Sequence, residues 1–213
     1  MGGFIKLKIK AMNEPKTTTE VKPKTEVKFI NEQKLRNEKK LENEQKILNN
    51  LKYSSVKHTF EPIYNIESKI LILGTFPSVK SREIQFYYGH PQNRFWKVIS
   101  SVLGCEIPQT FEEKTKMLLN NNIAIWDVIE SCEIIGSSDS SIQNVIPNDL
   151  STILNNSNID KIYANGKTAA KLYEKYSEVS TKKPIITLPS TSPANAAFGL
   201  DRLAESWKII KFR

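Results

Sequence analysis

The chain has 213 residues, of which 39% are hydrophobic and 25% charged, and its formal net charge is +8. This composition excludes collagen-like and fully disordered proteins. It also excludes a membrane-spanning protein, because the aliphatic runs are short and a bilayer-spanning helix needs about 18 apolar residues. The length fits one domain with an appendage. The N-terminus lacks the apolar segment of a signal peptide, so we expect a cytoplasmic protein.

The positive charge is concentrated near the N-terminus. Residues 1–52 hold 13 of the 31 Lys and Arg residues but only 7 of the 23 Asp and Glu residues. They also contain a six-residue repeat, from Asn31 to Ile47, whose apolar members would point in different directions on a helix and form no coiled-coil seam. We therefore predict that 1–57 is a basic, low-complexity extension, disordered or loosely helical. Such an extension either attracts polyanions or only aids solubility.

From His58 onward, short apolar runs alternate with amphipathic segments, which predicts a folded domain over 58–213. This alternation indicates an α/β fold, a three-layer α/β/α sandwich around a short, mostly parallel four-stranded sheet. Thr110-Phe-Glu-Glu113 is a capping box, and Gly104 is a candidate helix C-cap. The predicted strands are 69–73, 123–126, 161–164 and 185–188, and the predicted helices are 93–103, 110–120, 149–155, 167–176 and 200–210.

Ligands of such sheets bind beyond the carboxyl ends of the strands, and these positions carry polar and aromatic residues. Nucleophile elbows, phosphate-binding glycine loops and zinc-protease motifs are absent from the sequence. With only two histidines and two cysteines, we expect neither a metal nor a cofactor. The strand ends are followed by the segments Gly74–Ser78 and Tyr87–Asn93, by Asp127, by Asn165, and by Pro189–Asn195.

The stretch from Gly74 to Trp96, followed by Leu188–Asn195, resembles the two active-site motifs of the uracil-DNA glycosylase superfamily. The string Tyr-Tyr-Gly-His-Pro-Gln-Asn-Arg-Phe-Trp, which ends at Trp96, is similar in particular to the hypoxanthine-DNA (deoxyinosine) glycosylases. The resemblance covers 58–213 and implies a uracil-DNA glycosylase-like fold. It also implies a repair enzyme that flips a deaminated base out of double-stranded DNA and hydrolyses its N-glycosidic bond, leaving an abasic site.

The base implied first is hypoxanthine. Because no lysine stands within the two motif cores to form a Schiff base, we expect a monofunctional enzyme. Two alternatives stay open. One is a uracil- or mismatch-specific glycosylase of the same fold, and the other is a non-catalytic module that binds DNA lesions. We expect a monomer.

The resemblance also implies individual roles. Tyr88 would stack on the extruded base, and Asn93 would be the key catalytic amide, orienting a water molecule through its carbonyl. Asp127, also assigned to catalysis, would accept a hydrogen bond from N1–H of hypoxanthine, although a helix N-cap or a structural ion pair is an equal alternative. The residues expected to bind the base are Thr75, Phe76 and Asn165 together with Tyr88, and His90 would support them.

The loop after the last strand is expected to contact DNA phosphates in the minor groove. Its members are Ser190, Thr191, Ser192, Pro193, Ala194 and Asn195. One position departs from the family pattern, since Ser78 stands where relatives have glycine. If the backbone there needs a positive φ, serine would cost about 1 kcal/mol.

Overall fold

The computed structural model describes residues 34–42, 44 and 52–211. The chain divides into two compact units, Met1–Asn49 and Asn50–Arg213. In the first unit, residues 34–42 and 44 are helical and exposed, and Lys40 Nζ lies 4.0 Å from Glu44 Oε1. For residues 1–33, 43 and 45–51 the prediction of disorder lies outside the described residues, while residues 54–57 form a strand.

A four-stranded parallel sheet forms the centre of the second unit. In it β2 (Ile70–Gly74) lies between β3 (Ile123–Asp127) and β6 (Lys161–Asn165), and β7 (Ile185–Leu188) pairs with the far side of β6. Every residue of β2 and β3 is buried, because helices cover the sheet, and this explains their uninterrupted apolar sequences. The predicted sandwich around a parallel four-stranded sheet is confirmed. The strands of the described chain are β1 (Ser54–Lys57), β2 (Ile70–Gly74), β3 (Ile123–Asp127), β4 (Ile129–Ile134), β5 (Gln143–Pro147), β6 (Lys161–Asn165) and β7 (Ile185–Leu188).

The helices surround this sheet, and the predicted end signals are confirmed. The Thr110 hydroxyl accepts a hydrogen bond from Glu113 N–H, and the Glu113 carboxylate accepts one from Thr110 N–H. Gly104 ends its helix with a φ of 73°. The α-helices of the second unit are Val79–Ile84, Phe95–Leu103, Phe111–Asn120, Ser151–Leu154, Lys167–Tyr176, Glu178–Thr181 and Leu200–Trp207, and 3₁₀ turns span Asp139–Ser141 and Lys208–Ile210.

A second, antiparallel sheet of β1, β4 and β5 was not predicted. Strand β1 pairs with β4 from Ser54, opposite Ile134, to Lys57, opposite Ser131. The predicted domain start at His58 is therefore too late, because the four residues of β1 belong to the folded unit. This pairing carries the chain directly into His58, whose backbone N–H donates to Glu130 O at 2.6 Å.

Two fully buried aromatic residues connect the core to the edge of the sheet where the strands end. Phe95 and Trp207 pack edge to face with ring centres 5.9 Å apart. Burial of each ring stabilises the fold by roughly 2 kcal/mol. The indole N–H of Trp207 also donates to Pro189 O at 2.9 Å, which fixes the start of the loop that follows β7.

Candidate active site

A cavity of about 280 Å³ lies at the carboxyl ends of the parallel strands. Gly74 ends β2, Asp127 ends β3 and Asn165 ends β6, so the parallel register brings all three to one edge. This is the expected place for a ligand in such a sheet. The cavity is lined by all of the predicted site residues except Thr191, Ala194 and Asn195.

Gly74 allows two of these side chains to approach the backbone. A Cβ atom at Gly74 would lie 2.2 Å from Asp127 Oδ1 and 3.3 Å from the Tyr88 hydroxyl. Any other residue here would displace the Asp127 carboxylate. The Asp127 carboxylate can therefore occupy this end of the cavity only because residue 74 is a glycine.

Tyr88 is half-buried and has a φ of 51°, in the left-handed region. One face of its ring stacks on Phe95, with the centres 3.8 Å apart and the planes 18° apart. Its hydroxyl is buried near Asn165 without reaching hydrogen-bond geometry. Burial raises the pKa of Tyr88 above its ordinary value, so the phenol keeps its proton. An extruded base would stack on the opposite face only, and that role stays a prediction.

Asn93 is oriented by two hydrogen bonds to its carbonyl. Asn93 Oδ1 accepts from Phe95 N–H at 3.0 Å and from the Thr191 hydroxyl at 3.0 Å. A carbonyl oxygen has two lone pairs, and both are used here. A water molecule would have to compete with these two donors for the carbonyl, and the water-orienting role of Asn93 stays a prediction. Among the described residues the Asn93 NH₂ group has no partner, so the side chain offers the cavity a donor.

Thr191 was predicted to contact DNA, and the structure contradicts this because its exposure is 0%. Its N–H donates to Asn165 Oδ1, and its hydroxyl oxygen accepts from Asn165 Nδ2, both at 2.9 Å. The same hydroxyl donates to Asn93. Thr191 therefore connects the two carboxamides of the cavity.

Arg94 holds the loop after β7 in place, a role that the sequence analysis did not assign. Its guanidinium donates to the backbone carbonyls of four residues, Thr191, Ser192, Asn195 and Phe198. The contact to Ser192 O is 2.5 Å and that to Asn195 O is 3.1 Å. A guanidinium has five N–H donors, which explains how one side chain holds four backbone carbonyls.

The rest of this loop differs in how far it is available to a ligand. Ser190 and Ser192 are half-buried, and each hydroxyl accepts a backbone N–H, so each keeps its own proton for donation. Pro193 and Ala194 are exposed. The Asn195 amide donates to Ser190 O at 2.9 Å and so stabilises the loop itself. The predicted phosphate contacts of this loop stay a prediction.

Asp127 forms a buried pair with a histidine that the sequence analysis missed. His58 Nε2 lies 3.0 Å from Asp127 Oδ2, and the side chains are 3% and 6% exposed. Asp127 thus both lines the cavity and makes a buried contact with His58, so the ligand-binding and the structural interpretations are both compatible with its position. No local pattern marks His58, because its partner is 69 residues away.

A second carboxylate reaches the cavity from the turn after β4. The Thr75 hydroxyl donates to Asp139 Oδ2 at 3.0 Å. Although Asp139 as a whole residue is exposed, its carboxyl group is turned towards the cavity wall. Burial raises the pKa of this carboxyl above its usual value, while the Thr75 hydrogen bond lowers it and the charge of Asp127 raises it further.

Of the three remaining motif residues, His90 and Ser78 form local hydrogen bonds and Phe76 forms none within the described part of the chain. His90 Nδ1 accepts from Gln92 N–H at 3.2 Å, so in the neutral ring the proton lies on Nε2, which becomes a donor. The backbone N–H of Phe76 has no partner among the described residues. Ser78 has a φ of −60° and caps the Val79–Ile84 helix by accepting from Ser81 N–H, so the strain considered for it does not arise.

Two features of the described residues bear on other functions. Within 34–42, 44 and 52–211, no three His, Cys, Asp or Glu side chains group closely enough to hold a metal ion. In the same part of the chain, no helix combines the length and the apolar sequence that crossing a bilayer requires.

The chain is similar to known proteins over this same unit. Residues 61–211 match the family model of the uracil DNA glycosylase superfamily. Hypoxanthine DNA glycosylase of Methanosarcina acetivorans is 32% identical over 157 residues, which cover 73% of this chain and 98% of that protein. The protein of the same description from Methanosarcina barkeri is 30% identical, over 54% of this chain and 74% of its own length.

A solution NMR structure from Methanosarcina acetivorans, assigned to the uracil DNA glycosylases, superimposes with a TM-score of 0.60. The two chains are 31% identical, and the match covers 71% of this chain and 96% of that one. The family match, the relatives and the fold agree with the cavity at the strand ends. The chain therefore belongs to the uracil DNA glycosylase superfamily.

Proposed function

We propose that this chain is a DNA glycosylase that excises hypoxanthine from deoxyinosine in duplex DNA and leaves an abasic site. Two relatives described as hypoxanthine DNA glycosylases support this choice of base. The observation that carries the proposal is the cavity in which Tyr88, Asn93 and Asp127 meet. Tyr88 and Asn93 come from one motif, and Asp127 lies more than 30 residues further along the chain at the end of β3.

The base is reached by flipping the nucleotide out of the duplex, which costs a few kcal/mol. The free face of Tyr88 offsets part of that cost by stacking, by about 1–3 kcal/mol. Because Phe95 supports the other face, the ring is held in place before the base arrives.

Asp127 selects the base by recognising the hydrogen atom on N1 of the base. With Oδ2 held by His58, the carboxylate accepts from N1–H of hypoxanthine through its other oxygen. Adenine has an unprotonated N1, which a carboxylate repels, so normal adenine is rejected. Uracil also carries a ring N–H, and this keeps a uracil glycosylase as the second candidate.

Asn93 and His90 supply donors for the departing base. Negative charge develops on the base as the glycosidic bond breaks, and fixed N–H groups stabilise that charge. Asn93 is oriented for this by its two carbonyl hydrogen bonds, and His90 by Gln92. No lysine is found among the described residues that line the cavity, which supports a monofunctional enzyme.

A panel of duplexes that carry hypoxanthine, uracil or xanthine at one position tests this proposal. Under single-turnover conditions we expect hypoxanthine to be released fastest. Faster release of uracil would assign the chain to the alternative specificity. Tight binding of all three duplexes without release of any base would make it a lesion-binding module. A monomeric state and a cytoplasmic location stay predictions.

A further inference from the structure

We propose that Asp139 is the catalytic residue that accepts the proton of the attacking water. This inference rests on the proposed function and assigns a role to a carboxylate for which the family resemblance implied none. It begins from the finding that the Asn93 carbonyl is fully occupied. The attacking water then needs another acceptor in the cavity.

The other candidates for this acceptor are already committed. Asp127 Oδ2 is held by His58, and Asp127 Oδ1 packs against the backbone of Gly74, where the base edge would be read. His90 presents N–H in its neutral form. Asn165 uses its carbonyl to accept from Thr191 N–H.

Asp139 has the required free oxygen. Its Oδ2 accepts from the Thr75 hydroxyl, while Oδ1 has no partner among the described residues. The carboxyl group lines the same cavity as Asn93 and Tyr88. A carboxylate with one oxygen fixed and the other free can orient a water molecule and take its proton.

The turn that carries Asp139 is anchored on both sides. Ser137 Oγ accepts from Val79 N–H at 2.9 Å, which connects the turn to the helix after the first motif. Ser141 Oγ accepts from Ile135 N–H at 2.9 Å and donates to Ser138 O at 2.7 Å. Asp139 is thus held at a fixed place relative to Thr75.

In the proposed step the water oxygen bonds to C1′ of the deoxyribose, and the bond between C1′ and N9 breaks. The electron pair of that bond leaves with hypoxanthine. One water proton passes to Asp139, and the departing base gains a proton from solvent or a cavity donor. The products are the free base and an abasic sugar with a hydroxyl at C1′.

The proposal gives the reaction a defined pH dependence, because Asp139 must be ionised to accept a proton. The rate falls when the pH drops through the pKa of Asp139, which burial has raised. Titratable groups around it are Asp127 at the end of β3 and Cys132 in β4. The cavity also contains Tyr87, Tyr88 and His90. Among the carboxylates of the described residues, the Thr75 hydroxyl hydrogen-bonds to Asp139 alone, so it provides a selective way to shift the pKa of this group.

The test measures single-turnover release of hypoxanthine from a deoxyinosine duplex between about pH 4 and pH 8. Asp139→Asn keeps an oxygen for Thr75 but cannot take a proton, so we expect its rate to fall by about 100-fold or more. Thr75→Val removes the hydrogen bond that favours the ionised form of Asp139, so we expect the acid limb of the pH–rate profile to move to higher pH. Asp149→Asn, at an exposed carboxylate outside the cavity, is the matched control and should leave the rate unchanged.

Binding of a duplex with an uncleavable 2′-fluorinated deoxyinosine checks that Asp139→Asn still folds and binds. The role of Asp139 is supported if Asp139→Asn binds this duplex as tightly as the wild type but releases the base more slowly, and if Thr75→Val shifts the acid limb of the pH–rate profile. A rate within threefold of the wild type, or an acid limb that Thr75→Val leaves in place, overturns it. If the wild-type protein releases no base from any duplex, the proposed function fails as well, and that result is distinct from the others.

Discussion

Two sides of the cavity differ in how their polar groups are used. On the side of the loop after β7, the Asn93 carbonyl, Thr191 and the Asn165 carbonyl are all bonded to one another or to backbone groups. On the side of the turn after β4, Asp139 keeps one oxygen without a partner in the described chain. We call the first the bonded side and the second the open side.

The difference separates groups that maintain the shape of the site from groups that are free to meet a ligand. A buried polar atom without a partner costs about 1–3 kcal/mol, which explains why the buried groups of the bonded side are paired with one another. The bonded side therefore contributes position, and the Asn93 NH₂ is one of the donors that it presents to a ligand. The open side contributes acceptors.

The largest effect is expected from Asn93→Asp on the bonded side. Aspartate keeps an oxygen for Phe95 N–H and for Thr191, but it replaces the outward NH₂ donor with an acceptor. We expect single-turnover base release to fall by about 100- to 1000-fold. Gln92→Ala, at the exposed neighbour, is the control and should change the rate little. Retained activity of Asn93→Asp would return the water-orienting role to the Asn93 carbonyl.

A comparable effect, seen in stability, is expected from His58→Phe. Without its donor, the Asp127 carboxylate is left buried and unpaired, which we expect to lower the free energy of unfolding by about 3 kcal/mol. Urea denaturation measures this loss. The other histidine provides the control, since His90→Phe at a half-exposed site should cost less than about 1 kcal/mol. Equal losses for both variants would mean that the pair with Asp127 adds little.

A smaller effect on rate is expected from Thr191→Val. Valine has nearly the same shape but removes the hydroxyl that connects Asn93 and Asn165. We expect the single-turnover rate to fall by about 10-fold, because the Asn93 donor loses its fixed orientation, while affinity for an uncleavable duplex stays close to that of the wild type. Thr191→Ser restores the hydroxyl and should restore most of the rate. Failure of serine to rescue would assign the loss to packing.

The smallest effect on base release is expected outside the cavity, in the extension. Lys34, Lys39 and Lys40 are exposed on the helical part of residues 34–44. Replacing them with glutamine should reduce the salt dependence of DNA binding by about one unit of slope for each lysine that contacts a phosphate. The single-turnover rate at saturating protein should not change. Identical salt slopes would make these lysines a solvated surface.

The parallel sheet was predictable because its strands are buried on both faces and read as continuous apolar runs, such as Ile70–Leu73. The antiparallel sheet was not, because β1 has the sequence Ser-Ser-Val-Lys and β5 contains Gln143, Asn144 and Pro147. Such short, half-exposed strands carry little periodic signal. Their pairing depends on long-range contacts that no local pattern encodes.

The composition of the site was predictable from motifs, but its hydrogen bonds were not. Asn93, Asp127 and Tyr88 line one cavity, as their positions at strand and loop ends suggested. Thr191 was misplaced because a threonine between serines in a loop reads as exposed, whereas its partner Asn93 is 98 residues away. For the same reason His58 and Asp139 were overlooked, since their partners are 69 and 64 residues distant.

The most direct measurement is a crystal structure of the Asn93→Ala variant bound to a duplex with one deoxyinosine. We expect the hypoxanthine ring inside the cavity, stacked on the free face of Tyr88, with N1–H directed at Asp127 and an ordered water between Asp139 and C1′. A hypoxanthine that remains paired in the duplex, or one held outside this cavity, would contradict the account.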